Sequence, residues 1–249
     1  MIRDVLDTHT HSLASGHAYS TIREMAVQAK ENGLELLGIT EHAPRLNGSC
    51  GTIYFQNLKV IDRHAYPVEL LMGVELNILD ENGTVDLPER VLRQMDICIA
   101  SLHTLCIKPG SRDYNTEASI NVMKNPYLDI LGHPDDSRYP VDYTAIVQAA
   151  KEYNVLIELN NSSLRPENSR QNCRPNDEVL LKLCMEYKSP IAIGSDAHVD
   201  TDVGRHDLAL GLLDELKFPE ELVVNRDAAV LKDFLTTKRA AGQKRIIGQ

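Results

Sequence analysis

Tryptophan is missing from this chain of 249 residues and phenylalanine occurs three times, so the aromatic platforms that single-stranded nucleic acid stacks on are scarce. Cysteine is sparse as well. The five thiols, Cys50, Cys98, Cys106, Cys173 and Cys184, are odd in number and form no C-x-x-C pair. That argues against a disulfide framework and a thiolate zinc knuckle, and the expectation is reduced thiols, several of them buried. No apolar run approaches the roughly 20 residues of a bilayer-spanning helix. The opening MIRDVLDTHT has neither a basic stretch followed by an apolar one nor a cleavage site. A cytoplasmic location with no membrane partner is the expectation. Positive charge is short, with 26 Lys and Arg against 36 Asp and Glu and a formal net charge of −10. A long nucleic acid would need a local basic stripe, and the sequence shows none. Also missing are a G-x-G-x-x-G or Walker-type loop after the first apolar run and a G-x-S-x-G nucleophile motif.

What is present is alternation. Seven apolar or β-branched runs, VLDTHT, LELLGITEH, VELLMGVELNIL, DICIASLHT, LDILGHP, VLIELNN and PIAIGSDAH, are spaced along the chain. Between several of them lie amphipathic stretches such as TIREMAVQAKENG, where Thr21 and Glu24 form a capping box and Gly33 a stop, YTAIVQAAKEYN and NDEVLLKLCMEYK. Strand then helix, repeated, implies a parallel sheet with helical crossovers, and the lack of a dinucleotide loop favours a barrel over a doubly wound sheet. We expect one α/β domain over residues 1–249, with 43–66 a long loop carrying a short helix. The basic tail from about residue 238 to 249 reads as a solvated helix end.

Histidine is concentrated where such a barrel would gather it. His9 and His11 follow the first strand run, with His17 in the loop beyond; His42, His103 and His133 end the second, fourth and fifth runs; Asp196 and His198 end the seventh. The C-terminal strand ends of a parallel barrel open on one face, so these positions converge. Glu75 lies inside the third run, where an ionised carboxylate is costly unless a cation compensates it. His64 and His206 fall outside the pattern and read as ordinary polar residues. Nine candidate ligands are too many for one tetrahedral ion and slightly rich for two, which points to three divalent ions sharing carboxylate bridges. Imidazole with a minority of carboxylate suits zinc, with manganese and iron as contenders.

The ordered set DTHTHSLASGHAYST, ITEH, GVELN, SLHT, GHP and GSDAH, with NNSS at 160–163 and VVNRDAAVLKDFL near the end, resembles the PHP (polymerase and histidinol phosphatase) family, in particular its YcdX-like phosphatase branch. The resemblance implies a distorted seven-stranded β/α barrel of the TIM type with a trinuclear metal centre. It implies one ion on His9, His11, Glu75 and Asp196, a second on Glu75, His103 and His133, and a third on His17, His42 and His198. Two positions depart from the family pattern: Glu41, where many relatives have aspartate, and Asp135, where close relatives have glycine, which is expected to add negative charge near the mouth.

The reaction these expectations support is hydrolysis of a small phosphomonoester by a metal-activated hydroxide, with no side-chain nucleophile. Phosphate oxygens out of reach of metal would favour arginine, and Arg138, Arg165, Arg170 and Arg174 sit in suitable loops. Three other readings compete: an oligonucleotide phosphodiesterase or exonuclease, disfavoured by charge and scarce aromatics; an amidohydrolase-type enzyme, which would leave His17 and His42 idle; and a non-catalytic metal-binding protein. The general acid, the native substrate and homo-oligomerisation are left open.

Overall fold

The seven expected strands form one parallel sheet in sequence order, β1 to β7: Leu6–Asp7, Leu36–His42, Glu69–Asn77, Cys98–Ser101, Ile130–Leu131, Leu156–Asn160 and Ile191–Gly194. The computed structural model describes residues 2–247, with side chains through residue 240. Among the described residues eight α-helices cover the sheet or close its ends: α1 Ile22–Glu31, α2 Thr52–Asn57, α3 Glu89–Leu92, α4 Arg112–Met123, α5 Tyr143–Tyr153, α6 Cys173–Tyr187, α7 Asp207–Glu215 and α8 Ala228–Ile247. The Thr21–Glu24 capping box starts α1 as the sequence indicates. Segment 43–66 is a long loop holding α2 and short 3-10 turns. All five cysteines are free, with Cys98, Cys173 and Cys184 buried.

The strands are shorter than their sequence runs, and β1 and β5 are cut to two residues each. β1 ends at Asp7 because the chain then changes partner: Thr10 bridges Ala197, His11 N donates to Ala197 O at 2.8 Å, and Asp196 N donates to His9 O at 2.9 Å. The last strand is thereby tied to the first at the C-terminal mouth. Lower down, β7 and β1 do not pair, and Asn225 fills the seam. Its Nδ2 donates to Leu6 O at 2.8 Å and Ile193 O at 2.9 Å, and its Oδ1 accepts from Ile193 N at 2.7 Å. One buried amide thus satisfies the backbone groups that the missing ladder would orphan.

Inside the barrel the floor is apolar, with Leu6, Leu36, Leu71, Ile97, Ile130 and Leu156 packed against Leu231 and Leu235 of α8. The C-terminal helix is therefore a plug for the lower mouth, and burying Leu231 alone contributes about 2 kcal/mol. Of the tail expected to be solvated, 238–249, only residues 238–240 have described side chains. Lys238 is buried and its Nζ donates to Tyr153 O and Asn154 O, both at 2.9 Å, while Arg239 donates to Met95 O and Asp96 O. These cations cap carbonyls at the barrel base, so they cannot be free in solvent. Residues 248 and 249 lie outside the described residues.

Above the apolar floor the lumen turns polar. A Cβ on Gly194 would come within 2.3 Å of Glu158 Oε1 and 2.7 Å of His9 Cβ, so glycine there leaves room for an acid and an imidazole side by side.

Candidate metal centre

The nine side chains expected at the mouth do meet there. Glu75, fully buried on β3, is at the middle: its Oε1 lies 3.1 Å from His103 Nε2 and 3.0 Å from His133 Nε2, and its Oε2 lies 2.6 Å from His42 Nδ1, 3.5 Å from His9 Nε2 and 3.6 Å from His11 Nε2. Asp196 Oδ1 is 3.4 Å from His11 Nε2 and 3.8 Å from His9 Nε2. His17 and His198 complete the rim, their Nε2 atoms 3.0 Å apart. His64 and His206 lie elsewhere, His206 buried against Asp4 and Asp7.

Five of the seven rings, those of His9, His11, His17, His103 and His198, are aimed by their other nitrogen. His9 Nδ1 donates to Glu158 Oε1 at 2.7 Å, His103 Nδ1 to Asn77 Oδ1 at 2.7 Å, His17 Nδ1 to Ser15 O at 3.0 Å and His198 Nδ1 to Asp196 O at 3.0 Å. His11 Nδ1 donates to Ser15 Oγ at 3.1 Å, and that hydroxyl donates onward to Glu41 Oε2 at 2.6 Å. Such partners fix the tautomer and leave Nε2 as a lone-pair donor pointing inward. Ser15, Glu41, Asn77 and Glu158 were not singled out as site residues in the sequence. Glu158 carried a usable signal, an acid inside the apolar run VLIELNN, the same signal that marked Glu75. Glu41 is buried and also accepts from Ser12 and from Tyr54, so the longer acid reaches inward as a support for His11.

Two observations test whether cations fit. Among the described residues the buried atoms His9 Nε2 and His11 Nε2 have no hydrogen-bond partner, while His42 Nδ1 and Glu75 Oε2 lie 2.6 Å apart without the alignment of a hydrogen bond. Polar atoms left so in one lumen cost free energy unless something compensates them. In addition, the His17 and His198 Nε2 lone pairs face each other, because both Nδ1 protons are committed to carbonyls. A cation relieves that opposition. Zinc bonds of about 2.0–2.1 Å give ligand separations near 3.3 Å, the scale seen here. Donor atoms fall within 4.8 Å of one another in the sets His9, His11, Asp196; His42, Glu75, His103; and His11, His42, His198. His42 and His11 thus each appear in two sets.

The electrostatics are divided. Burial lowers His9, but the charges of Glu158, Glu75 and Asp196 outweigh it and hold its pKa well above the usual histidine value. Burial and the neighbouring His42 and His198 push His11 well below that value and His17 below it, keeping both neutral, the form that binds metal. Burial opposes ionisation of Glu75 and Asp196, yet the surrounding imidazoles, with Arg170 at Asp196, hold both well below the usual carboxylate range. Backbone strain marks the same place: His133 (φ 27°) and Asp196 (φ 55°) sit in the left-handed region that non-glycine residues avoid.

A cleft of about 510 Å³ opens over the imidazoles. Of the four candidate arginines, two reach it. Arg170 is nearly buried and donates to Asp196 Oδ2 at 2.9 Å, Ser163 Oγ at 2.9 Å and Asn160 Oδ1 at 3.2 Å; Arg138 lines the cleft while paired with Asp136 at 2.6 Å. Arg165 and Arg174 do not line it, being drawn off by Asp202 and by Glu215 and Glu178. Asp135 also stays out of the cleft, against expectation. It is buried, and burial pushes its carboxyl up, while burial and the Asp135 charge push Asp177 well up. The two acids form a buried pair with both carboxyls pushed up, not an exposed charge.

Comparison with known proteins agrees with this architecture. The PHP domain family matches residues 7–164. A probable phosphatase of Caldanaerobacter subterraneus subsp. tengcongensis is 48% identical over 239 residues, covering 96% of this chain and 93% of that one. A probable phosphatase of Clostridium novyi is 45% identical over 234 residues, covering 94% and 95%. Among solved structures, histidinol phosphate phosphatase from Lactococcus lactis subsp. lactis, complexed with zinc, L-histidinol and phosphate, superposes with a TM-score of 0.55 at 18% identity over 87% of this chain and 95% of that one. A putative histidinol phosphatase from Listeria monocytogenes gives 0.58 at 19% identity over 80% and 97%. With strand order, barrel closure and family match in agreement, the chain belongs to the PHP domain family.

Proposed function

We propose that the protein is a metal-dependent phosphatase that hydrolyses a small phosphomonoester at three divalent ions, zinc being the first choice. The observation that carries the reading is the pair of opposed Nε2 lone pairs of His17 and His198 above a lumen of orphaned imidazole and carboxylate atoms. His9, His11, Glu75 and Asp196 would hold one ion, Glu75, His103 and His133 a second, and His17, His42 and His198 a third. The names of the curated relatives support the reaction class, and the zinc and phosphate in the Lactococcus lactis enzyme support the metal and the leaving anion.

Bound divalent ions supply an activated water and a positive field for phosphoryl oxygens. The chain's own residues do the rest. Arg170 holds Asp196 through its Nη2 and faces the cleft, where the remaining edge of a guanidinium fork suits a phosphoryl oxygen. Arg138, also on the cleft, adds a second cation for the substrate's dianion. Glu158 and Asn77 hold the His9 and His103 rings in register.

The test is elemental analysis of protein purified without chelator, with p-nitrophenyl phosphate hydrolysis on the same sample. Close to three metals per chain and turnover abolished by chelator is the expected result. One metal or none, with no turnover after reconstitution, would overturn it.

A further inference from the structure

The cleft has two unlike walls. The loops after β2 and β4 contribute Leu46, Leu102 and Leu105, while those after β5 and β6 contribute Arg138, Asn168 and Arg170. Leu105 is 75% exposed, an unusual state for a leucine whose neighbours in the chain end at the metal mouth through His103. Singly exposed leucines need no explanation, but this one lines the same cleft as two other leucines, Leu46 and Leu102.

The charge inventory of that cleft is one-sided. Among its described lining residues the sole carboxylate is Asp196, and both of its oxygens are engaged, Oδ1 by His11 and Oδ2 by Arg170 and Asn160. The nearby Asp136 is buried and turned to Arg138 and to Gln171 N. No carboxylate is therefore free to meet an ammonium carried by the alcohol half of a phosphate ester, and the arginines repel it. Taking an amine out of water beside like charges, with no partner, is costly.

We infer that the alcohol part of the substrate is an uncharged or anionic group with an apolar face, seated against Leu46, Leu102 and Leu105, and that amine-bearing phosphomonoesters are discriminated against. The inference rests on the phosphatase reading above and narrows it. It sets this cleft apart from one built for an amino alcohol such as the histidinol present in the Lactococcus lactis enzyme.

Three esters of nearly equal size separate the cases: propyl phosphate, phosphoethanolamine and phosphoglycolate, compared by kcat/KM at pH 7.5 on the protein as purified with its metals. Propyl phosphate and phosphoglycolate should each exceed phosphoethanolamine by about tenfold or more. Leu105→Glu places a carboxylate on the apolar wall and should raise the phosphoethanolamine to propyl phosphate ratio by about two- to fivefold, the scale of an exposed ion pair. Phosphoethanolamine turned over as well as propyl phosphate would overturn the inference, and an unchanged ratio in Leu105→Glu would remove Leu105 from the wall. If p-nitrophenyl phosphate is hydrolysed while the amine ester is preferred, only this inference fails. If no ester is hydrolysed in a metal-dependent way, the phosphatase reading fails and takes it along.

Discussion

Glu75 and His17 occupy opposite extremes of the centre, and substitution should show it. Glu75 touches five imidazoles within 3.6 Å, so Glu75→Gln removes a charge that two ions would share, and metal content should fall at both sites together. His17 is reached through His198 and a backbone carbonyl, so His17→Ala should cost about one ion per chain with the fold retained. Atomic emission on the two variants decides: loss of a single ion from Glu75→Gln, or none from His17→Ala, sinks the shared assignment. Glu158→Gln acts indirectly, through the His9 ring, and should weaken metal binding by about 10- to 100-fold in a chelator competition. Glu75 was legible in the sequence because an acid inside an apolar strand demands compensation. Glu158 met the same condition, and only its distance from the histidine pattern hid it. Ser15 and Asn77 were not legible, since a serine or asparagine near a turn has many ordinary uses.

Among elements, the seam between β7 and β1 rests on buried polar groups that titrate. His206, the residue that precedes α7, is fully buried with Nδ1 2.7 Å from Asp4 Oδ2 and Nε2 3.5 Å from Asp7 Oδ1. Burial would lower its pKa, but the Asp7 charge and the bonds to Asp4 and Asp7 raise it to about 10. A raised pKa means that the folded state holds the proton more tightly. This contribution to stability is complete below the unfolded value of about 6.5 and is lost as pH climbs toward 10. Asp7 in turn accepts from Ser195 N at 3.1 Å and Gly204 N at 2.9 Å, so the loss loosens the seam itself. Urea melts between pH 7 and 10.5 should show a falling midpoint in the parent. In His206→Ala, which strands two carboxylates at a cost of about 3 kcal/mol, the midpoint should start lower and depend less on pH over that range. A parallel decline in both proteins would exclude His206 as the cause. The seven strands and their order were readable from period and spacing, because each is local. The seam was not, since Asn225 and His206 meet β1 across some 200 residues of sequence, and neither residue type announces such a partner. The same holds for α8, whose plug role depends on which end of the barrel it reaches.

Taken whole, the molecule ties its fold to its chemistry. The candidate donor atoms come from the ends of β1 through β5 and β7, so ions held there would link nearly every strand at one mouth, while α8 closes the other. Without cations, the lumen confines Glu75, Asp196 and Glu158 among imidazoles, and at its rim His17 and His198 turn their Nε2 atoms on each other at 3.0 Å. Ions that bind the folded chain and not the unfolded one stabilise it by mass action, about 2.7 kcal/mol for each site filled at a hundredfold excess over its Kd. For a chain of this size each kcal/mol moves the melting temperature by about 2–4 °C, so a single emptied site should lower it by roughly 5–10 °C. Chelation followed by calorimetry measures the drop, and added zinc should restore it. The discriminating sample is Glu75→Gln, which should melt lower at the outset and respond less to chelator, because the two perturbations act on the same contacts and do not add. If chelator lowers the parent and the variant by equal amounts, the stabilising ions lie away from Glu75, and the central position assigned to that carboxylate is wrong.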